Sequence, residues 1–471
     1  MASASPLVSV GDQLHLSRSS LSIDNTPVSW RQSRARFVIL GMAALMMFGS
    51  YYFFDQCSAS EDGVIAKLGI TETQFGLLQS VYSWPNTFLP LFGGLAIDYF
   101  GIRKSLILFM SLVFLGQFVY SLGLAQSSFT VSLLGRVIFG LGGESLNVAG
   151  LALVALWFRG AELAFAMGMI ICVSRLGSVA AFNTQEQLIS SVGVAHASFV
   201  GTAIMGFSYL NCIFVCFMDK RADKIDAREG PIKAPQRRST AAAAGEEGVV
   251  PAPMEEENKS DAVDFKQIAN LGLPYWLITF SCVTVYISAF PFFQVTSVSF
   301  LKTNFSFSGS EANFITSIPN LVSAFTSPLF GLFVDRVGKR PFFMICSTLA
   351  FITAFLIFIG YGSSCHQCWS VLAVYVLLGC ALCLFGSVMW PCIPLVVDQN
   401  SVGTAFGVTT AVQNLGLGFA PLAFTALKDG SGGSFAGTFA LIIASNALAL
   451  VSGLYLRHLD KTSMGQKLGK P

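Results

Sequence analysis

Apolar residues along this 471-residue chain come in runs of about twenty, set apart by short polar stretches. A helix of about twenty residues, at ~1.5 Å rise each, spans the ~30 Å hydrocarbon core of a bilayer. The runs centre near Ala44, Pro85, Phe114, Gly143, Val173, Phe207, Thr284, Val322, Phe351, Cys383, Leu415 and Ala444. Six fall on each side of a hydrophilic stretch. The pattern predicts an all-α membrane protein with twelve transmembrane helices in two six-helix bundles, 34–218 and 271–457. A cytosolic linker, 219–270, joins them, and polar tails cover 1–33 and 458–471.

Composition supports the lipid bilayer as the surrounding medium. The chain is 53% hydrophobic and only 11% charged, with a mean hydropathy of +0.65. A soluble domain carries about 25% charged residues. The N-terminal tail is Ser-rich and has no apolar core of the kind a cleavable signal needs. Most of the eleven cysteines lie in apolar runs, where a thiol behaves as a small hydrophobe. Cys57, Cys365 and Cys368 read as loop cysteines on the far side, open to oxidation. No histidine sits within a run, and no nucleophile–base or metal-ligand constellation appears. The reading is therefore not an enzyme, with no metal, cofactor or nucleic-acid partner.

Orientation follows from Lys and Arg, which concentrate on the cytosolic side of membrane proteins. With both termini cytosolic, twenty-three of these residues fall in cytosolic segments and three (Lys67, Lys302 and Lys428) on the opposite side.

Against this background three charges stand out as placed inside runs: Arg136, Glu144 and Arg175. A charge at membrane depth costs at least ~2.5–3.5 kcal/mol, so it faces a cavity or a partner. Glu144 lies about 13 residues, ~20 Å, from the cytosolic end of the fourth run, and Arg175 lies at the same depth in the fifth. An acid and a base then face one cavity at one level. Glu144 suits an α-ammonium, and the Arg175 fork suits bidentate capture of an α-carboxylate. The competing reading is that the two pair with each other and lock two helices. Arg136 reads as structural or gating. The C-terminal half offers only neutral groups at depth: Tyr286, Trp390, Gln413 and Asn414. Tyr82 and Trp84 in the second run are similar, with Pro85 freeing a backbone carbonyl.

An internal repeat completes the picture. Gly94-Leu-Ala-Ile-Asp98-Tyr-Phe-Gly101-Ile-Arg103-Lys104 follows the second run, and Gly331-Leu-Phe-Val-Asp335-Arg-Val-Gly338-Lys339-Arg340 follows the eighth. The doubled loop, with Arg136-x-x-x-Gly140 in the fourth run, resembles the signature of the major facilitator superfamily. That resemblance implies two bundles rocking about a midplane cavity. The loops read as a cytosolic gate, made of carboxylates and basic residues that pair and release.

Tyr82–Asn86, Phe100–Arg103, Gly135–Leu146, Ser174–Ser178, Phe290–Phe292, Trp390–Pro391 and Gly403–Gly416 narrow the resemblance to the lysosomal dipeptide uniporters of that superfamily. It implies proton-independent export of dipeptides, possible cationic ones included, with Glu144 and Arg175 recognising the peptide termini. It also implies a glycosylated single-span lysosomal accessory subunit and a lysosomal or endolysosomal membrane, with the plasma membrane as the alternative address. The N-terminal tail departs from that family: Asp12-Gln-Leu-His-Leu16 lacks the spacing of an acidic dileucine signal. The remaining alternatives are an amino-acid or proton-coupled small organic solute transporter, and a solute sensor that does not transport.

Overall fold

A computed structural model of the chain describes residues 31, 33–89, 97, 99–158, 161–229, 271–361, 367–398 and 402–470. Residues 230–270 of the predicted linker, Gly94 and Asp98 lie outside the described residues, as does the side chain of Asp335; residues 219–229 of the predicted linker continue the preceding helix. Among the described residues every regular element is helical. In chain order they are α1 (Ala35–Ala59), α2 (Glu61–Leu68), α3 (Glu72–Ser83), α4 (Ile102–Ala125), α5 (Phe129–Trp157) and α6 (Ala161–Glu229). There follow α7 (Leu273–Pro291), a π turn (Phe292–Thr296), α8 (Ser297–Phe305), α9 (Gly309–Val337) and α10 (Arg340–Tyr361). Last come α11 (Val371–Val396), α12 (Val402–Gly430) and α13 (Ala436–Thr462).

Among the described residues eight helical stretches are long and apolar enough to cross a membrane: α1, α4, α5, α6, α7 with α8, α10, α11 and α13. The apolar stretch of α6 runs 61 residues, roughly 90 Å at 1.5 Å per residue and three bilayer cores long. It is broken at Gly193, whose φ of 82° and ψ of 159° are not helical. Contacts with α1 show the consequence. Going down α1, Phe48 meets Gly177 and Tyr52 meets Thr184, so the first half of α6 runs alongside it. Gly49 meets Ser208 and Gln56 meets Ala197, so the second half runs back. A side chain at Gly193 would have to adopt a left-handed φ, which glycine tolerates without steric cost.

The turns opposite the chain termini are written in short polar signals. Gly69 closes α2 in the left-handed conformation, and Thr71 with Gln74 forms a capping box at the start of α3. Ser308 and Glu311 form a second box at the start of α9. Each satisfies helix-end N–H groups that would otherwise lack partners.

Packing sorts the helices. α1, α3, α4, α5 and α6 pack on one another, as do α7 and α9 to α13; the two groups meet where α9 lies against α6 and α12 against α3. The cross-group bonds are concentrated towards the face opposite the termini, here called the distal face. There Lys428 Nζ donates to Glu72 Oε1 (2.9 Å) and Ser299 Oγ (2.6 Å). Thr73 Oγ1 donates to Asp429 Oδ2 (2.6 Å), Lys302 pairs with Asp62, and Asn313 Nδ2 donates to the Ala59 carbonyl (3.0 Å). Asn183 to Ser317, Arg175 to Asn320 and Trp84 to the Gly418 carbonyl continue the series inwards. Between described residues no hydrogen bond joins the groups nearer the terminal face. The molecule is sealed distally.

Burial acts on the distal cluster. Glu61 is 3% exposed, and one of its carboxylate oxygens and one of Glu72's are buried without a partner. Burial pushes the Glu61 carboxyl well above the usual carboxylate range; the neighbouring Glu72 adds to this, while Lys428 and Lys302 oppose it.

At the terminal face each signature loop is tied within its own group. Arg103 pairs with Asp219 (2.6 Å) and with Asp223, Arg31 joins the same two acids, and Trp157 Nε1 donates to Asp219 (2.8 Å). In this conformation the partners of Arg103 come from the end of α6, in its own group. Gly101 begins α4 with a φ of 80°. In the second loop Gly338 has a φ of 64°, the Lys339 N–H donates to the Gly469 carbonyl (3.0 Å), and Arg340 Nη1 donates to the Lys470 carbonyl (3.2 Å). Gly331 has open space around it. The two cysteine expectations separate as well. Cys368 is disulfide-bonded, whereas Cys57 is buried within α1, where it accepts a bond from Tyr120.

Candidate functional site

A cavity of about 490 Å³ lies between the two groups. Glu144 of α5 and Arg175 of α6 both line it, together with Tyr51 of α1 and Tyr82 of α3. The run of glycines around Glu144 has a steric reason. A Cβ on Gly140 would stand 2.5 Å from the Tyr82 carbonyl, and one on Gly143 2.6 Å from the Tyr82 hydroxyl. Bare backbone there lets α5 close on Tyr82, whose hydroxyl then donates to Glu144 Oε1 (3.3 Å). Pro85 ends α3 and starts a tight turn, in which Asn86 Nδ2 bonds the Tyr82 carbonyl (3.0 Å). That carbonyl is therefore occupied by its own neighbour.

Arg175 donates to Asn320 Oδ1 across the groups (3.3 Å), and its guanidinium lies 5.7 Å from the centre of the Tyr51 ring. Among the described residues no ion pair links it to Glu144. The alternative of a direct acid–base lock is therefore not the arrangement seen. The cavity instead presents one carboxyl and one guanidinium, each held by a neutral partner, and such a pair can receive the two ends of a zwitterion.

Arg136 has a different setting. It is 0% exposed, with Nε donating to the Leu78 carbonyl (3.0 Å) and Nη2 to Gln79 Oε1. Its charge sits near the rings of Phe53 (5.4 Å), Phe139 (5.7 Å) and Tyr82 (6.0 Å), and Nη1 is buried with no partner. Arg136 thus underlies Tyr82 and does not line the cavity. The same region holds an acid that a count of charges inside the apolar runs overlooks. Asp55 of α1 is 7% exposed, beside Ser178 and within electrostatic reach of Arg175 and Arg136. Asp55 lies beyond the centre of the first apolar run, near the end of α1, and was not singled out from sequence.

The second group lines the cavity with neutral side chains: Phe290, Gln294, Trp390, Thr410, Gln413 and Asn414. Gln413 Oε1 faces the Cys282 thiol (3.5 Å), and Asn414 Nδ2 bonds the Thr410 carbonyl of its own helix (3.0 Å). Two expected lining residues lie elsewhere. Tyr286 is buried behind the wall, accepting from Trp390 Nε1 (3.3 Å) and stacking on Phe290. Trp84 packs on Gly418 between the groups and bonds its carbonyl (3.0 Å). Ser50, Tyr51, Asn147 and Gln294 line the cavity without having been singled out from sequence. Asn147 carried a usable signal, because a residue three after Glu144 shares its helix face.

The profile of the Major Facilitator Superfamily matches residues 35–299 and 278–471. The chain is 32% identical to the lysosomal dipeptide transporter MFSD1 of Bos taurus over 433 residues, covering 89% of this chain and 85% of that protein. It is 31% identical to the Homo sapiens protein of the same name over 432 residues, 89% and 86% of the two chains. A more distant likeness, 24% over 426 residues, is to a probable sulfoacetate transporter of Cupriavidus necator, covering 85% of this chain and 89% of that one.

Proposed function

The chain belongs to the major facilitator superfamily, and from that premise we propose that it carries dipeptides across the lysosomal membrane by alternating access. The observation that carries this reading is the unpaired acid and base, Glu144 and Arg175, facing one cavity between two helical groups. Glu144 takes the α-ammonium and Arg175 the α-carboxylate. The relatives named for dipeptide transport support the substrate class. The membrane is crossed twelve times: by the eight apolar stretches, by α6 counted twice for its turn at Gly193, and by α3, α9 and α12. The units are 34–218 and 271–457, with both termini cytosolic, as the distribution of Lys and Arg requires.

On this reading the sealed distal face is lumenal, and the conformation described is open to the cytosol. The signature loops, with Asp98, Asp335 and Arg103, exchange their partners when the transporter turns to the lumen. Uniport is the simplest mode. Asp55 supports a second reading, proton coupling, because it supplies a buried carboxyl beside Arg175. Counterflow of labelled dipeptide in liposomes tests transport itself: exchange without an imposed gradient is expected, and saturable binding without flux would make the protein a sensor. Dipeptide-driven acidification of the liposome interior separates the modes, with none expected for uniport.

A further inference from the structure

The cavity carries four side-chain amides, Asn147, Gln294, Gln413 and Asn414. Three are each engaged at one atom: Asn147 lies beside the Tyr51 hydroxyl, Gln413 accepts at Oε1 from the Cys282 thiol, and Asn414 Nδ2 donates to the Thr410 carbonyl. Gln294 makes no side-chain hydrogen bond among the described residues. Its place is nevertheless firmly held. Two residues before it, Phe292 is fully buried against Phe355 (4.9 Å) and Phe439 (6.2 Å). Three residues after it, Ser297 Oγ bonds both Thr316 and Tyr375 at 2.6 Å. Between these anchors the backbone makes a π turn over Phe292–Thr296, directly after Pro291, which has no N–H to offer the helix. Such turns are rare and concentrate at functional sites.

The arrangement leaves a donor group and an acceptor, Nε2 and Oε1, without a hydrogen bond among the described residues, on the cavity that Glu144 and Arg175 also line. Both charges belong to the first helical group, and Gln294 belongs to the second. A dipeptide held by its ends on the first group turns its middle towards the second. The middle is a peptide group, itself one donor and one acceptor, and it is the part that a free amino acid lacks. We propose that Gln294 is a specificity-determining residue that reads the peptide bond: Oε1 accepts the peptide N–H and Nε2 donates to the peptide carbonyl. This rests on the dipeptide reading above and adds what selects dipeptides over amino acids. A site built to bond a polar group discriminates against ligands lacking it, because its own polar atoms are then left unpaired.

The test uses purified full-length protein and measures the affinity of L-alanyl-L-alanine and of its ester analogue, in which oxygen replaces the peptide N–H. Wild type is expected to bind the amide about tenfold more tightly, the scale of one hydrogen bond. Gln294→Met, similar in length but without an amide, is expected to bind both within about twofold of each other, the amide losing both bonds and the ester, which keeps its carbonyl, losing one. A tenfold preference kept in a Gln294→Met protein that melts like wild type overturns the inference. The wild-type comparison stands without the variant: equal affinity for amide and ester also overturns it. Failure of wild type to bind any dipeptide is a different result, which removes the dipeptide reading and this inference with it.

Discussion

The first helical group holds Arg136, Glu144 and Arg175 within its apolar runs and Asp55 near the end of α1, each contacting other residues of that group except where Arg175 reaches Asn320. The second group meets the same cavity with Trp390, Thr410, Gln413, Asn414, Phe290 and Gln294, and keeps charges such as Lys428 and Arg340 for its helix ends. The contrast matters for a molecule whose halves must move past one another. A substrate clamped between opposite charges on the two groups would have to break a desolvated ion pair at each turn, and removing one partner of such a pair costs ~3–5 kcal/mol. With both charges on one group, the ends of the substrate stay with that group and only neutral contacts slide. Among the described residues the ion pairs that cross between the groups, Glu72 with Lys428 and Asp62 with Lys302, lie at the distal face. The more exposed of them, Asp62 with Lys302, is worth ~0–1 kcal/mol and gives way readily, whereas Glu72 with Lys428 is part-buried.

The largest expected effect attacks the charged side of this contrast. Glu144→Gln and Arg175→Ala are each expected to lower dipeptide uptake at least about 100-fold with little loss of stability, since losing a charge-assisted contact costs ~1.5–3 kcal/mol per bond and two or more bonds are at stake. Uptake in liposomes alongside a melting curve checks this, and normal transport by either variant would end the clamp. Next comes the steric support. Gly143→Ala places a methyl against the Tyr82 hydroxyl and is expected to cost ~1–3 kcal/mol of stability and to weaken uptake through Glu144. Gly331→Ala in the second group, where space is open, is the matched control and is expected to be neutral.

A smaller effect concerns the distal seal. Glu61 has its carboxyl raised by burial and by Glu72, against Lys428 and Lys302, so its protonated form belongs to the sealed conformation. The stabilisation is then fully present below the ordinary Glu range, about 4.3, and is lost as pH rises through the raised value. In that window the sealed–open balance shifts by up to about tenfold per pH unit, since one proton is linked to it. Labelling of a cysteine placed at Thr73 is expected to quicken with pH in wild type and to lose that dependence in Glu61→Gln. The smallest effect tests the neutral side. Trp84→Phe removes only the bond to the Gly418 carbonyl, and a change in uptake of no more than a few-fold is expected, as for a single neutral hydrogen bond of ~0.5–1.5 kcal/mol.

Much of this was legible before any coordinates. Helix positions follow from hydropathy, whereas the caps at Thr71 and Ser308 were not singled out from sequence. Glu144 and Arg175 could be set at one depth by counting residues along two antiparallel runs. Other features escaped because they depend on which way a side chain turns. Tyr286 and Trp390 are both aromatic residues in apolar runs, and only packing puts the first behind the wall and the second on it. Asp55, near the end of α1, was not singled out: a charge there is buried only once neighbouring helices cover it. Arg103 sits in a signature loop, yet its partners lie more than a hundred residues away at the end of α6.

The sequence by itself determined a membrane-embedded all-helical chain and the residues that can bear charge within it, because water-to-lipid transfer acts on composition and on one-dimensional spacing. Only the tertiary structure decided that Glu144 and Arg175 share a cavity without pairing, that Arg136 stands behind Tyr82, and that the seal is distal. Those outcomes depend on helix rotation and on the close approach that single glycines allow, and neither is written in hydropathy.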